Sequence, residues 1–247
     1  MLERKPPKLI LKTTLAIFKI LGLNIIPEAE NIILSKILQG GDKNFLTKLS
    51  RISDIFIKLE DKRFYSHIGV DVRSILSLLL GRRLRGGATT IAMQLARVVV
   101  VNPHRMGIRK IIIRKIFEVV LGLFFFNQLG RLGILTQWLK NIPFGKPSII
   151  GIEKASFHYL QKPIDSLDEI DGLILAERIS IITGNYYKRR IERLANWAIN
   201  LNLIRSEQKE DYQNRYHRMM QNVPGKIMND LPNGGSLYKR LFKTMTQ

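Results

Sequence analysis

The chain has 247 residues and no cysteine, and its 40 Lys plus Arg against 20 Asp plus Glu leave a formal net charge of +20. Its length and 45% hydrophobic content allow a buried core and exclude a wholly disordered basic tail. The missing cysteine excludes disulfides, cysteine-based zinc or iron–sulfur centres and thiol nucleophiles, while leaving the compartment open. So large an excess of one sign calls for a partner of the other, and nucleic acid, anionic lipid headgroups and phosphorylated substrates all qualify.

Residues 9–26 read LILKTTLAIFKILGLNII. Lys12 and Lys19 interrupt this stretch, whereas a spanning helix wants about 20 mostly apolar residues. Lys5, Lys8, Lys12 and Lys19 are three, four and seven apart, which places them on one helical face, with Leu9, Leu15, Ile17, Phe18, Leu21 and Ile25 around the rest. The pattern predicts a basic amphipathic helix, either lying in an anionic interface or packed on the core with its lysines in water. No small-residue cleavage site follows it, so it does not read as a secretory signal.

Pro27 and the Gly40-Gly41 pair break the chain. Apolar residues at three and four spacing then predict helices over 71–80, 89–100, 108–126, 129–140, 150–159, 168–181 and 187–203. Only the β-branched run 98–101 is ambiguous between helix and strand, so the predicted fold is mainly α. No internal repeat or low-complexity linker divides it. Residues 206–247 are polar, with Gly and Asn towards the end, and read as a helical extension that frays.

Two carboxylate sites stand out from the basic background. Glu60 and Asp61 lie in LEDKRFYSHIGVD, ahead of Phe64, His67 and Gly69. Glu118 lies in RKIIIRKIFEVVLGLFFF, four residues after Arg114 and three after Lys115, which puts both cations beside it on a helix. Apolar walls raise an acid's pKa and neighbouring cations lower it, so either acid is a candidate for chemistry; a surface ion pair is the plainer alternative for Glu118. Between them RGGATTIAMQLAR, 85–97, offers a Gly-Gly pair for close backbone approach and Thr89 as a helix cap. It is not a nucleotide phosphate loop, because no Gly-Lys-Ser/Thr ends it. Structural roles are equally open for Asp61 as a cap, His67 as a turn residue, and Phe64 and Trp138 as core.

Taken in order, the motifs are more specific than any one alone. Glu60, Asp61, Phe64, His67 and Gly69; then Gly86, Gly87, Thr89, Thr90 and Gln94; then Arg114, Lys115 and Glu118; then Ile134, Leu135, Leu139 and Gly145 together resemble the peptidoglycan glycosyltransferases. These are the transglycosylase domains of bifunctional penicillin-binding proteins and the monofunctional transglycosylases. The resemblance covers roughly residues 52–203. It implies a lysozyme-like helical fold with a larger head lobe and a smaller membrane-proximal lobe. The segments would be an N-terminal basic or membrane-associated stretch over 1–45, a transglycosylase domain over 46–205 and a helical extension over 206–247. The sequence departs from the family pattern at Ala88, Met93 and Thr136, and carries Glu177-Arg178-Ile179 where a proline-rich stretch is usual.

The activity implied is polymerisation of lipid II, in which a sugar 4-hydroxyl displaces a polyprenyl pyrophosphate with inversion. By motif match Glu60 is the expected base. Glu118 would place the pyrophosphate, directly or through a divalent metal such as Mg or Mn. Arg85, Arg97, Lys110, Arg114 and Lys115 would neutralise phosphate oxygens, Gln94 and Thr89 would position the sugars, and Asp61, His67 and Gly87 would also bind substrate. Expected partners are lipid II, the growing glycan strand, membrane phospholipids and cell-wall elongation or division proteins, with no nucleic acid. The expected location is the bacterial cytoplasmic membrane with the catalytic domain on its outer face. The length leaves no room for a transpeptidase domain, so a monofunctional enzyme is expected. The readings set against it are a non-catalytic binding module on the same fold and, from charge alone, a nucleic-acid-binding protein.

Overall fold

The computed structural model describes residues 7–38, 42–79, 89–100, 108–179, 185–223 and 227–228. The helices run α1 Pro7–Ile20, α2 Ala29–Ile32 continuing into a π-turn Ile33–Ile37, α3 Lys43–Lys48, α4 Ser50–Glu60, α5 Val72–Leu79, α6 Ile91–Val100, α7 Ile108–Asn141, α8 Ile152–Leu160, α9 Glu169–Ile179, α10 Lys188–Asn200 and α11 Gln208–Asn222. Among the described residues the sheet is limited to β1 Tyr186–Tyr187, paired in parallel with β2 Ile227–Met228. The mainly α expectation therefore holds. Of the ambiguous 98–101 run, residues 98–100 are helical, with Val99 and Val100 joining Ile91, Ala92, Leu95 and Ala96 on a buried face, and residue 101 lies outside the described residues. Of the frayed tail expected after α11, residues 227–228 form β2 and residues 229–247 lie outside the described residues.

Three packing contacts put the acids in place. α4 buries Ile52, Ile55, Phe56 and Ile57 and lies so close to α9 that a Cβ on Gly172 would sit 2.8 Å from the Ile52 Cβ. This fixes the C-terminal end of α4, where Glu60 is the last helical residue. α6 packs along α7, whose buried face carries Phe117, Leu121, Phe125, Ile134, Leu135, Trp138 and Leu139. Where the 61–71 loop meets α7, Gly69 adopts φ +87°, and a Cβ there would lie 2.5 Å from the Gly122 carbonyl oxygen. Only glycine meets both demands without strain.

The structure adjusts two local expectations. The two helices foreseen over 108–126 and 129–140 are present within α7, but the break between them falls at Gly130, with φ 64° and ψ −177°, the residue that tolerates this backbone. Arg131, just past the bend, donates to the Phe64 and His67 carbonyls at 3.3 and 3.0 Å and fastens the loop to α7. At the start of α6 the cap is Thr90, not Thr89: the Thr90 hydroxyl accepts from the Met93 amide at 3.3 Å and donates to the Gly69 carbonyl at 2.6 Å.

The N-terminal helix realises both halves of its expected pattern. Leu11, Leu15 and Phe18 are buried, with the Phe18 ring 4.9 Å from that of Phe117. Leu9, Ile10, Ile17 and Ile20 are exposed beside Lys8, Lys12 and Lys19.

Candidate active site

The acids lie in opposite electrostatic environments. Glu60 closes α4 behind the apolar face that α4 presents to α9. Its Oε2 accepts from Gln94 Nε2 at 2.9 Å, and Gln94 Oε1 accepts from Trp138 Nε1 at 3.1 Å. Trp138 is therefore more than core: it locks the Gln94 amide so that its nitrogen faces Glu60. Burial raises the pKa of the Glu60 carboxyl; the Gln94 bond and the more distant Arg190 and Arg97 charges oppose the rise without cancelling it.

Glu118 is fully buried, not the surface ion pair that its helix position also allowed. Arg97 grips it bidentately, Nε to Oε1 at 2.7 Å and Nη2 to Oε2 at 3.1 Å. Lys115 Nζ is 2.9 Å from Oε2. Arg114 Nε lies 3.3 Å from Oε1, as an ion-pair contact without hydrogen-bond alignment. Burial pulls the Glu118 pKa upward, but the hydrogen bonds and charges of Arg97 and Lys115 outweigh it and hold the group ionised below its usual range. Lys115 is tied a second time, donating to Thr89 Oγ1 at 2.6 Å, and burial lowers its pKa despite Glu118.

Asp61 and His67 are engaged with each other and with the frame. His67 Nε2 is 2.9 and 3.0 Å from the two Asp61 oxygens, and its Nδ1 accepts from the Gly69 amide at 3.1 Å. That pattern assigns the proton to Nε2. Asp61 Oδ2 also accepts from the Ile91 amide at 3.1 Å, which puts a carboxylate at the positive start of α6. Both side chains are largely buried, so the structure gives them the cap and turn roles left open by the sequence.

Of the expected site residues, the fold gathers Glu118, Arg97, Arg114, Lys115 and Thr89 into one cluster and Glu60 with Gln94 into another, and α6 supplies Arg97 to the first and Gln94 to the second. Gln94 and Arg97 are three apart and share a helix face. Arg85, Gly87 and the Lys110 side chain lie outside the described residues. Sequence reasoning missed Arg131, Trp138 as a donor, and Glu177 with Arg178 and Arg190. For Glu177 a signal existed: an acid at the end of an apolar run, DGLILAERI, has to find partners once buried.

A divalent metal at Glu118 does not fit this donor set. Both carboxylate oxygens face cations, three positive side chains lie within 3.3 Å, and among the described residues no three or more His, Cys, Asp or Glu cluster to hold an ion. An oxygen-seeking cation needs several anionic or neutral oxygens, whereas here the surplus charge is positive and suits an anion.

Comparison with known proteins finds a family and several relatives. A family described as "Transglycosylase" matches residues 38–204. The chain is similar to "Penicillin-binding protein 1F" of Bacillus subtilis, 30% identical over 131 residues that cover 51% of this chain and 17% of that protein. It is also similar to "Biosynthetic peptidoglycan transglycosylase" of Pasteurella multocida, 35% identical over 124 residues covering 49% of this chain and 48% of that one. A longer match, 26% identical over 189 residues, reaches 73% of this chain and 22% of "Penicillin-binding protein 1A" of Clostridium botulinum. The chain thus spans less than half the length of each of these relatives.

Proposed function

The chain belongs to the transglycosylase family, and on that premise we propose that it polymerises lipid II into glycan strands. The observation that carries this reading is the opposed pair of acids: Glu60 with its pKa raised by burial, and Glu118 held ionised among Arg97, Arg114 and Lys115. Neighbouring acids whose environments push their pKa values apart divide the roles of proton acceptor and electrostatic support.

In the proposed reaction Glu60 takes the proton from the attacking sugar 4-hydroxyl. That oxygen then forms a bond to the anomeric carbon of the donor from the face opposite the pyrophosphate. The carbon–oxygen bond to the pyrophosphate breaks, and the leaving group departs with the electron pair. Gln94 holds Oε2 of Glu60 and so orients the carboxylate, with Oε1 offered to the hydroxyl. Negative charge grows on the departing phosphate oxygens, and fixed cations stabilise it without reorganising at the moment of reaction. Arg97, Arg114 and Lys115 supply those cations, and Glu118 keeps them together against their mutual repulsion. No step is routed through a metal.

The exposed apolar residues support a membrane-facing side. Ile112, Ile116, Val120 and Leu123 form a stripe along α7, Val72 and Leu76 are exposed on α5, and Ile10, Ile17 and Ile20 stand among the lysines of α1. The 111–141 stretch passes the length and apolarity test for a membrane span, but Phe117, Leu121, Phe125 and Trp138 belong to the core. Partial immersion at the outer face of the cytoplasmic membrane suits this pattern better than crossing, with the lysines against anionic headgroups.

The test is incubation of the full chain with labelled lipid II in detergent or bilayers, with products resolved by gel. A ladder of glycan strands digestible by a muramidase is the expected result. Lipid II binding without any product would favour the non-catalytic module instead.

A further inference from the structure

A closed circuit of contacts runs out from Glu60 and back to it. Along one arm, Glu60 Oε2 accepts from Gln94 Nε2 at 2.9 Å, and Gln94 Oε1 accepts from Trp138 Nε1 at 3.1 Å. Trp138 stands on the part of α7 that follows the break at Gly130. Along the other arm, Asp61, the residue after Glu60, meets His67 Nε2 at 2.9 and 3.0 Å, and the His67 carbonyl accepts from Arg131 Nη2 at 3.0 Å. Arg131 is the first residue past the break. It precedes Trp138 by seven residues, about two turns of helix, so both lie on one side of α7. The two arms therefore end on the same helical segment, with Glu60 between them.

Arg131 is shaped for its place in the circuit. Its guanidinium uses two prongs, Nη2 on the His67 carbonyl and Nε on the Phe64 carbonyl at 3.3 Å, and a planar fork fixes direction as well as distance. The group also lies 5.1 Å from the centre of the Phe126 ring, ahead of the break, so one side chain touches both parts of α7 and the 61–71 loop. The loop is attached to α6 as well: Asp61 Oδ2 accepts from the Ile91 amide at 3.1 Å, and the Gly69 carbonyl accepts from the Thr90 hydroxyl at 2.6 Å. Since α6 carries Gln94, a displaced loop disturbs both the backbone leading out of Glu60 and the helix that holds its carboxylate.

We propose that Arg131 is a positioning residue for the base, closing this circuit so that the Glu60 carboxylate keeps one direction relative to Gln94. The inference rests on the reading of Glu60 as the base. Arg131 acts through the loop and not on the substrate. Without it Gln94 still holds one oxygen of Glu60, but the chain beyond Glu60 is no longer fastened to α7 by these bonds, and the second oxygen loses its fixed aim at the sugar hydroxyl. Such a loss falls on the transfer step and leaves binding in place.

The test is a double-mutant cycle on the full chain with lipid II, using Arg131→Gln and Gln94→Leu singly and together. Arg131→Gln should lower kcat by about tenfold and change KM by less than about twofold, a size in keeping with slight misplacement of a catalytic group. Arg131→Lys, whose ammonium keeps the charge without the fork, should recover part of the loss. Independent sites multiply their effects on rate, whereas members of one circuit do not, so the double variant should lie within about twofold of Gln94→Leu. A readout that requires no turnover is the Trp138 indole N–H resonance in nitrogen-15 NMR. The chain has two tryptophans, and loss of the other signal in Trp197→Phe identifies it. That resonance should shift and exchange faster in Arg131→Gln. If Arg131→Gln fails to fold, Arg131→Lys carries the same comparisons at smaller amplitude. A folded variant with an unchanged indole signal, or an effect on kcat that multiplies in full with that of Gln94→Leu, overturns the inference. A moved indole signal in a protein that makes no glycan sustains the circuit and removes the reading of Glu60 as the base instead.

Discussion

Replacing Glu118 by glutamine removes the one negative charge among three cations while keeping its shape. Breaking a buried ion pair from one side costs about 3–5 kcal/mol. The Arg97 and Lys115 side chains are each 37% exposed and that of Arg114 25%, so water compensates part of the loss, and about 2–4 kcal/mol is expected. At about 2–4 °C per kcal/mol for a chain of this size, thermal unfolding at pH 7 should fall by about 5–15 °C. The pH dependence gives a second check. Glu118 has a lowered folded-state pKa, so its contribution is complete above the unfolded value of 4.5 and disappears as pH falls through the folded one. The difference in stability between wild type and Glu118→Gln should therefore be constant from pH 6 to 8 and shrink below about pH 4.5. Unfolding monitored by circular dichroism across that range decides it. A loss under about 1 kcal/mol at pH 7, the level of an exposed pair, or one that does not change on acidification, would refute the claim that Glu118 binds the cation cluster together.

The remaining predictions concern the base and its frame. Glu60 has the opposite sign: its raised pKa means that its charge opposes folding at high pH, so Glu60→Gln should be more stable than wild type at pH 8 and indistinguishable from it at pH 4 in the same unfolding assay. Gln94→Leu should leave the Trp138 indole and one Glu60 oxygen without their partner, at a cost of about 1–3 kcal/mol in chemical denaturation, and should lower kcat more than it changes KM for lipid II. Gly69→Ala should destabilise by about 2–4 kcal/mol, since it combines a positive φ with a clash against the Gly122 carbonyl. Wild-type stability close to that of Gly69→Ala would show that the 61–71 loop is not fastened as described. Titration of the substrate-free protein with Mn(II), followed by electron paramagnetic resonance, should show no stoichiometric site lost in Glu118→Gln.

Much of this arrangement was legible from the chain alone, for definite reasons. Helical spacing marked α6 and α7 because each packs one long apolar face, and the Arg114, Lys115 and Glu118 spacing is local, so their meeting on α7 required no tertiary information. The partners supplied from elsewhere were harder to see. Arg97 reaches Glu118 and Trp138 reaches Gln94 only because α6 lies along α7, a pairing that periodicity does not encode. The break at Gly130 was expected slightly earlier, ahead of residue 129, because an isolated glycine in an apolar helical run does not announce a positive φ. Glu177 and Arg178 read only as departures from a family pattern; the contacts that Arg190 and Tyr216 make with Glu177 depend on α10 and α11 packing against α9. Asp61 and His67 illustrate the reverse limit, since a motif match does not distinguish residues that meet a substrate from those that hold the loop in place.

The most direct test of the central claim is a paired measurement on wild type and Glu60→Gln at pH 7.5, of lipid II binding and of single-turnover transfer from a preformed donor strand. Equal binding with transfer lowered by about 10²–10⁴-fold in the variant, the range expected for a lost general base, is the predicted result. Transfer in Glu60→Gln within about threefold of wild type, far short of that range, would contradict the assignment of Glu60 as the base.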